Sequence, residues 1–285
     1  MAALAGLAFA AVQSKTLRLN VEPETTYTYT STSETTTNIG GMMAGSEEEA
    51  VTTSESIMSI AYGEQTEGDW LSVTVTYTDM EVDMEGGGMM MQMMGGLPDP
   101  DELESTGFSA EVNPRAQVRN LELINADDLE DVNASTLKAY AGMMEELGFM
   151  GAFYPEEPLE VGTSWTRTID LANLTGMGEM MMIQSASGEA PVTFTVTGFE
   201  TMDGREVVTM DVEMDGSMTF TVDAGGAPMT GNMGLESVGT AHVLVDSGML
   251  YMAEQTTTTN MDMSDGMVVV DTVTSGTTKL NVDEE

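Results

Sequence analysis

A chain of 285 residues and 30.4 kDa has room for one large all-β domain or two small ones, with enough apolar sequence to bury a core without covalent staples. Cysteine is absent, which excludes a disulfide framework, thiolate metal sites, a cysteine nucleophile and a lipidated N-terminal cysteine. Forty-eight acidic residues against eight basic ones give a formal net charge of −40, a field that repels phosphate backbones and anionic membrane surfaces. The sequence therefore predicts no nucleic-acid partner and no docking on anionic membranes, and acidity reads first as a source of solubility.

The N-terminus opens with Ala2 to Val12, an apolar run of signal-peptide length that is too short to span a bilayer. Small residues at Ala8 and Ala10, or at Ala11 before Gln13, suit cleavage. Residues 1–13 are accordingly expected to be an export signal or its remnant, since no Lys or Arg precedes the run. The implied location is periplasmic, cell-surface or extracellular in a bacterium.

After Lys15 the pattern is that of strands. Thr16 to Glu22 alternates and reads as a first strand, and Thr25 to Thr37 is a β-branched and aromatic run that suits a pleated surface. Met58, Ile60 and Tyr62 mark another strand. In the long run from Trp70, Leu71, Val73, Val75 and Tyr77 occupy odd positions, whereas Met80, Val82 and Met84 occupy even ones. That change of parity predicts a β-bulge or bend near Thr78 and Asp79. Gly86 to Pro100 is a Gly, Met and Pro-rich excursion, after which Phe108, Ala110 and Val112 and then Ala116 to Ile124 resume the strands.

One helix is expected, at about 133–147, where Leu137, Tyr140, Ala141, Met144 and Leu147 make a single apolar stripe behind Asn133 as N-cap, with Gly148 suited to C′. Pro155 and Pro158 forbid its continuation, so 153–165 reads as an extended connector, turning at Gly162 before a strand anchored by Trp165. The connector separates an N-terminal β half, 14–152, from a C-terminal β half, 166–285, most simply as one integrated domain. In the second half Asp203-Gly204, Asp215-Gly216, Asp246-Ser247-Gly248 and Asp265-Gly266 read as hairpin turns between alternating runs. The closing strands are long, and long antiparallel strands need twist or curvature to bury one face. The expected fold is thus mainly β, with long curved antiparallel sheet forming a half-barrel or open barrel and one short amphipathic helix.

The stretch Phe153-Tyr154-Pro155-Glu156-Glu157-Pro158-Leu159-Glu160-Val161-Gly162-Thr163-Ser164-Trp165, with the later Val245-Asp246-Ser247-Gly248-Met249-Leu250 hairpin, resembles an uncharacterised family of exported bacterial β-rich proteins, a domain of unknown function. In layout it is also similar to the half-barrel lipoprotein carriers that cradle acyl chains. The resemblance implies a curved sheet and brings no catalytic residues.

No catalytic residues emerge from the sequence itself, and no cofactor is implied. The lone histidine, His242, lies in a strand without a Gly-x-Ser-x-Gly elbow, and phosphate-binding and dinucleotide glycine patterns are missing. Asp79, Glu81, Asp83 and Glu85 alternate along one strand, as do Asp211, Glu213 and Asp215, which is what a half-exposed strand requires. The 29 methionines carry two chemical expectations. Flexible thioether side chains adapt to varied apolar shapes, so Met89, Met90, Met91, Met93 and Met94, with Met144, Leu147 and Trp165, are candidates to contact a hydrophobic small molecule or lipid. Alternatively Met89, Met91, Met93 and Met94 supply soft ligands for Cu(I). The leading expectation is a non-enzymatic exported or envelope-associated binding protein, with a purely structural or interaction role as a further alternative.

Overall fold

In the computed structural model the described residues are 14–41, 48–86, 100–125, 129, 137–138, 141–142, 144–146, 148–149, 154–171, 183–223, 228–263 and 268–281. Eleven strands form one open, curved antiparallel sheet that does not close into a barrel. They are β1 (Thr26–Gly40), β2 (Glu48–Gln65), β3 (Leu71–Gly86), β4 (Gly107–Val112), β5 (Val118–Ile124), β6 (Ser164–Asp170), β7 (Ile183–Met202), β8 (Arg205–Asp223), β9 (Pro228–Leu244), β10 (Leu250–Met263) and β11 (Val268–Asn281). A single helical turn, α1 (Pro100–Leu103), precedes β4.

The spatial order is β5-β4-β3-β2-β1-β11-β10-β9-β8-β7-β6. Each half of the chain is an up-and-down meander, and the two are joined where the first strand pairs with the last, from Thr28 opposite Asn281 to Gly40 opposite Val269. The sheet is therefore cut open between the two strands that adjoin the middle of the chain, β5 and β6. Segments from that middle bridge the gap. Leu137, Lys138, Ala141, Gly142, Met144, Glu145 and Glu146 are helical, and Leu137, Ala141 and Met144 are buried, the stripe that the periodicity predicts. Gly148, at φ 92°, ends the helix by donating its N–H to Met144 O at 2.9 Å. Phe149 N–H then bonds Ala116 O at 2.7 Å, next to β5, and Arg167 of β6 donates to Glu146 O at 2.9 Å.

The register divides the sheet into a base and a far end. At the base, Tyr29, Ile60, Tyr62, Val75, Phe108, Val208 and Val243 project from the strands into one buried cluster. Leu17, Leu19, Tyr154, Leu159 and Met249, from segments outside the sheet, fill the same cluster like a plug. Residues 16–22 differ here from the strand expected of them. The alternation is real, with Leu17, Leu19 and Val21 all buried, but only Lys15 makes a β-bridge, to Leu159. The backbone is satisfied piecemeal instead: Leu19 N–H bonds Pro114 O and Asn20 N–H bonds Ser247 O, both at 2.7 Å. Burial of one face is what alternation reports, and a plug satisfies it as well as a sheet does.

Two further expectations meet the structure differently. Between Ile57, opposite Asp79, and Met58, opposite Tyr77, the β2–β3 register slips by one residue. Thr78 is the extra residue of the predicted bulge, and its hydroxyl donates to Ile57 O at 3.2 Å. The bulge brings Met80, Val82 and Met84 onto the face that Val73, Val75 and Tyr77 occupy below it. In contrast, Asp215-Gly216 is no turn: β8 runs unbroken through it. A Cβ on Gly216 would lie 2.4 Å from the Cβ of Ala190 on β7, so this glycine serves the close approach of neighbouring side chains. Asp203-Gly204 does turn the chain, with φ of 48° and 78°, and the Asp265-Gly266 expectation lies outside the described residues.

Candidate functional site

Above the base, the register fixes which side chains share each level of the sheet. On the face that carries Tyr29, one level reads Met210, Ala241, Ala253, Thr278, Ser31, Ser56 and Met80 from β8 across to β3. The next reads Val212, Gly239, Gln255, Gly276, Ser33, Ser54 and Val82. A third reads Met214, Ser237, Thr257, Thr274, Thr35, Thr52 and Met84. Small hydroxyl side chains and glycines thus occupy the central strands, flanked on both sides by apolar walls.

Cross-strand hydroxyl pairs organise this belt. The oxygens of Ser31 and Thr278 are 3.0 Å apart, those of Ser33 and Ser54 2.8 Å, and those of Thr35 and Thr274 3.0 Å. Ser237 and Thr257 form a fourth pair at 2.9 Å. The hydroxyls of Ser31, Ser33, Thr35, Ser54 and Thr274 are half-buried, so the belt is neither a dry core nor an open surface. Toward the far end the face turns apolar again. Met218, Met233, Met261, Val270 and Ile39 lie side by side, and Leu171, Ala190, Met218, Phe220 and Met233 form a buried cluster. Phe220 packs over Gly231 so closely that a Cβ there would lie 2.3 Å from the ring.

Trp165, a sequence-predicted contact residue, sits in the β6 wall of this face, half-buried, stacked on Phe194 with ring centroids 5.3 Å apart and planes 13° from parallel. Phe194 adjoins Val212, so Trp165 stands at the level of Ser33 and Ser54. Met144 lies elsewhere, buried in the base cluster with Phe149 and Tyr154. That cluster encloses a void of only about 10 Å³ among Leu19, Tyr29, Tyr62, Tyr154 and their neighbours. Met89, Met90, Met91, Met93, Met94 and Leu147 lie outside the described residues, as do the soft-metal candidates among them. Among the described residues no group of three or more His, Cys, Asp or Glu side chains converges as a metal site. His242 occurs on the opposite face from Ala241 and Val243, with Nδ1 3.2 Å from the Thr209 hydroxyl.

That opposite face carries the charge. Glu34, Glu55, Glu81, Asp83 and Glu254 line an open depression of about 630 Å³ with Thr32, Thr53, Thr256 and Ser275. Asp211 and Glu213 continue it past Glu254. Glu55 lies directly opposite Glu81, and Asp215 directly opposite Glu236. In the levels described above, the first face holds just two charged side chains among the described residues, Glu48 beside Ile39 and Arg167 beside Val192. The two sides of one sheet are therefore chemically opposite, which strict alternation along each strand makes possible. The pairs of Ser and Thr within these runs concealed the hydroxyl belt: by composition they read only as strand formers, and the pairing of β1 with β11 is what assembles them.

A third concavity, at the base, gathers Arg18, Arg115 and Arg119 beside Trp70. Its arginines are engaged by the protein. Arg18 donates to Pro155 O and Glu156 O, and Arg115 to Tyr154 O and to Glu156 at 2.6 Å. Arg119 lies over the Trp70 ring, 4.2 Å from its centroid, and bonds Glu111 at 2.5 Å. Hydrogen bonds from Thr66, Arg119 and Asn120, with the Arg119 charge, hold the Glu111 carboxyl below its ordinary value. These contacts clamp the connector and the β4–β5 turn together.

No known family matches this chain, and no curated protein matches it significantly. Among solved structures it is similar to lipovitellin, in a structure titled for its lipid–protein interactions, with a TM-score of 0.45 and 10% identity over 92% of this chain and 25% of that one. The chain thus spans about a quarter of that protein's length. It also matches Pseudomonas aeruginosa OpdQ, with a TM-score of 0.28 and 8% identity over 90% of this chain and 98% of that one. A DUF1329 family protein from Desulfovibrio piger matches with a TM-score of 0.15 and 8% identity, over 90% and 87% of the respective chains.

Proposed function

We propose that this is a non-enzymatic, exported or envelope-associated binding protein that takes a hydrophobic or lipid-like ligand on the uncharged face of its open sheet. The observation that carries the reading is the segregation of charge. Among the described residues, a chain of net charge −40 keeps ionised side chains off nearly all of one large face, and that face is only in part a packed core. At the base it is sealed by the plug. Above the base it offers half-buried apolar walls, Trp165, Val212 and Met214 on one side, backed by the buried Phe194, and Met80, Val82 and Met84 on the other. Methionine side chains repack around varied apolar shapes with little strain, which suits a ligand defined by chain and bulk more than by a fixed outline. The acidic face keeps such a sheet soluble and discourages pairing with other sheets.

Native mass spectrometry of the exported protein, purified without detergent, tests the reading. A lipid-sized adduct, or one acquired after incubation with a lipid extract, is the expected result. A bare protein mass under both conditions would overturn it in favour of a structural or interaction role.

A further inference from the structure

The hydroxyl belt narrows the class of ligand. Ser31 with Thr278, Ser33 with Ser54, and Thr35 with Thr274 stack along β1 at successive levels of the sheet, spaced roughly 7 Å apart by the strand repeat. Within each pair one O–H donates to the other oxygen. A hydroxyl has one hydrogen, so the second O–H of each pair is left to donate to a third group. The belt therefore presents a line of three neutral donors, bordered on each side by apolar walls. In water these donors are solvated, and a ligand that displaces the water must supply acceptors in its place.

We infer, resting on the binding-face reading above, that the ligand is an uncharged amphiphile whose hydroxyl, ester or glycosidic oxygens meet the Ser33 and Thr35 levels while its hydrocarbon lies against the half-buried Trp165, Val212 and Met214. A fatty-acid carboxylate fits less well for two reasons. The cation at this level, Arg167, stands on β6, six strands along the sheet from Ser33 and Thr35 on β1, so a carboxylate on these neutral hydroxyls would be partly desolvated without an adjacent counter-charge. The −40 field of the protein opposes its approach as well. A cationic amphiphile is drawn instead to the carboxylates of the opposite face, away from the apolar walls. A plain hydrocarbon leaves the displaced donors unmatched.

The full chain carrying Trp70→Phe makes Trp165 the sole tryptophan reporter. Its fluorescence is titrated with 1-monooleoylglycerol, oleate and 1-octadecene below their aggregation concentrations. Monooleoylglycerol is expected to saturate with an affinity about tenfold tighter than the other two, as one or two matched hydrogen bonds predict. The variant Ser33→Ala, Ser54→Ala, Thr35→Val and Thr274→Val removes the donors of both levels and is expected to keep its circular dichroism while bringing monooleoylglycerol close to octadecene. Oleate binding as tightly as monooleoylglycerol would overturn the inference and leave the binding face standing. A variant without these four hydroxyls that retains the preference for monooleoylglycerol would overturn it in the same way. Failure of all three probes to bind would overturn both.

Discussion

The base of the sheet and the belt above it are built from the same strands, yet they are held together differently. At the base, large apolar and aromatic side chains meet a plug from outside the sheet, and two of the tyrosine hydroxyls buried there reach backbone carbonyls: Tyr29 donates to Leu250 O at 2.8 Å and Tyr154 to Gly248 O at 2.7 Å. In the belt, side chains are small, paired through hydroxyls and half-exposed. Stability resides where apolar area is removed from water, and the belt is left free to exchange water for something else.

Substitutions at the two levels sharpen that contrast. Phe108→Ala at the base, where Phe108 is 1% exposed, is expected to lower unfolding free energy by about 3–5 kcal/mol through lost burial and a residual cavity. Thr35→Val in the belt should change it by less than about 1 kcal/mol. Chemical denaturation of both variants measures the difference, and equal effects would mean that the belt belongs to the core.

Alkaline pH is expected to attack the base selectively. Burial pushes the ionisation of Tyr29, Tyr62 and Tyr154 well above the ordinary value of 10.0, with neighbouring tyrosines adding to the shift for Tyr29 and Tyr62. These groups stay neutral when folded and ionise near pH 10 when unfolded, so their contribution is complete below that pH and is lost as pH rises further. Each costs about 1.4 kcal/mol per pH unit above 10. Denaturation midpoints measured from pH 9 to 11.5 should fall steeply, and Tyr29→Phe should make the decline shallower while losing about 1 kcal/mol from its hydrogen bond at neutral pH. An unchanged slope in that variant would show that ionisation of Tyr29 is not coupled to unfolding.

Gly216 tests packing between the belt and the far cluster. Gly216→Val forces a side chain into the space held by Ala190 and is expected to cost about 1–3 kcal/mol by thermal or denaturant melts. The Cβ alone meets Ala190, so Gly216→Ala is expected to carry much of the cost and Ala190→Gly to recover part of it; if Gly216 were a turn residue, as Asp215-Gly216 suggests from sequence, the damage would follow the loss of backbone freedom and Ala190→Gly would bring no recovery.

How much of this was legible in the sequence follows from which signals are local. Strand parity is local, so the bulge at Thr78 and the acidic alternation of Asp79 to Glu85 could be read directly, and so could the turns at Gly162 and Asp203-Gly204 and the apolar stripe of Leu137, Ala141 and Met144. Distinctions that depend on the partner were not. Alternation at Leu17, Leu19 and Val21 reports one buried face without saying whether a sheet or a plug buries it, and Asp-Gly at 215–216 looks like a turn until Ala190 is placed beside it. The hydroxyl belt was the least legible, because Ser31 and Thr278 are 247 positions apart and become a pair only through the β1–β11 register.

The acidic face offers the smallest effect and the most discriminating one. Glu55 and Glu81 are exposed and directly opposed across β2 and β3, where like charges are unfavourable. Solvent screens such a pair, so Glu81→Gln is expected to raise the melting midpoint by only about 1 °C in low salt. In 1 M NaCl the Debye length contracts to about 3 Å, the repulsion is screened and the gain should vanish, while the parent protein itself becomes more stable. Calorimetry across that salt range checks both parts. A gain that persists in high salt would trace to strand propensity at position 81, and a parent midpoint indifferent to salt would mean that the protein's acidic charges are spread too widely for their self-repulsion to strain the sheet.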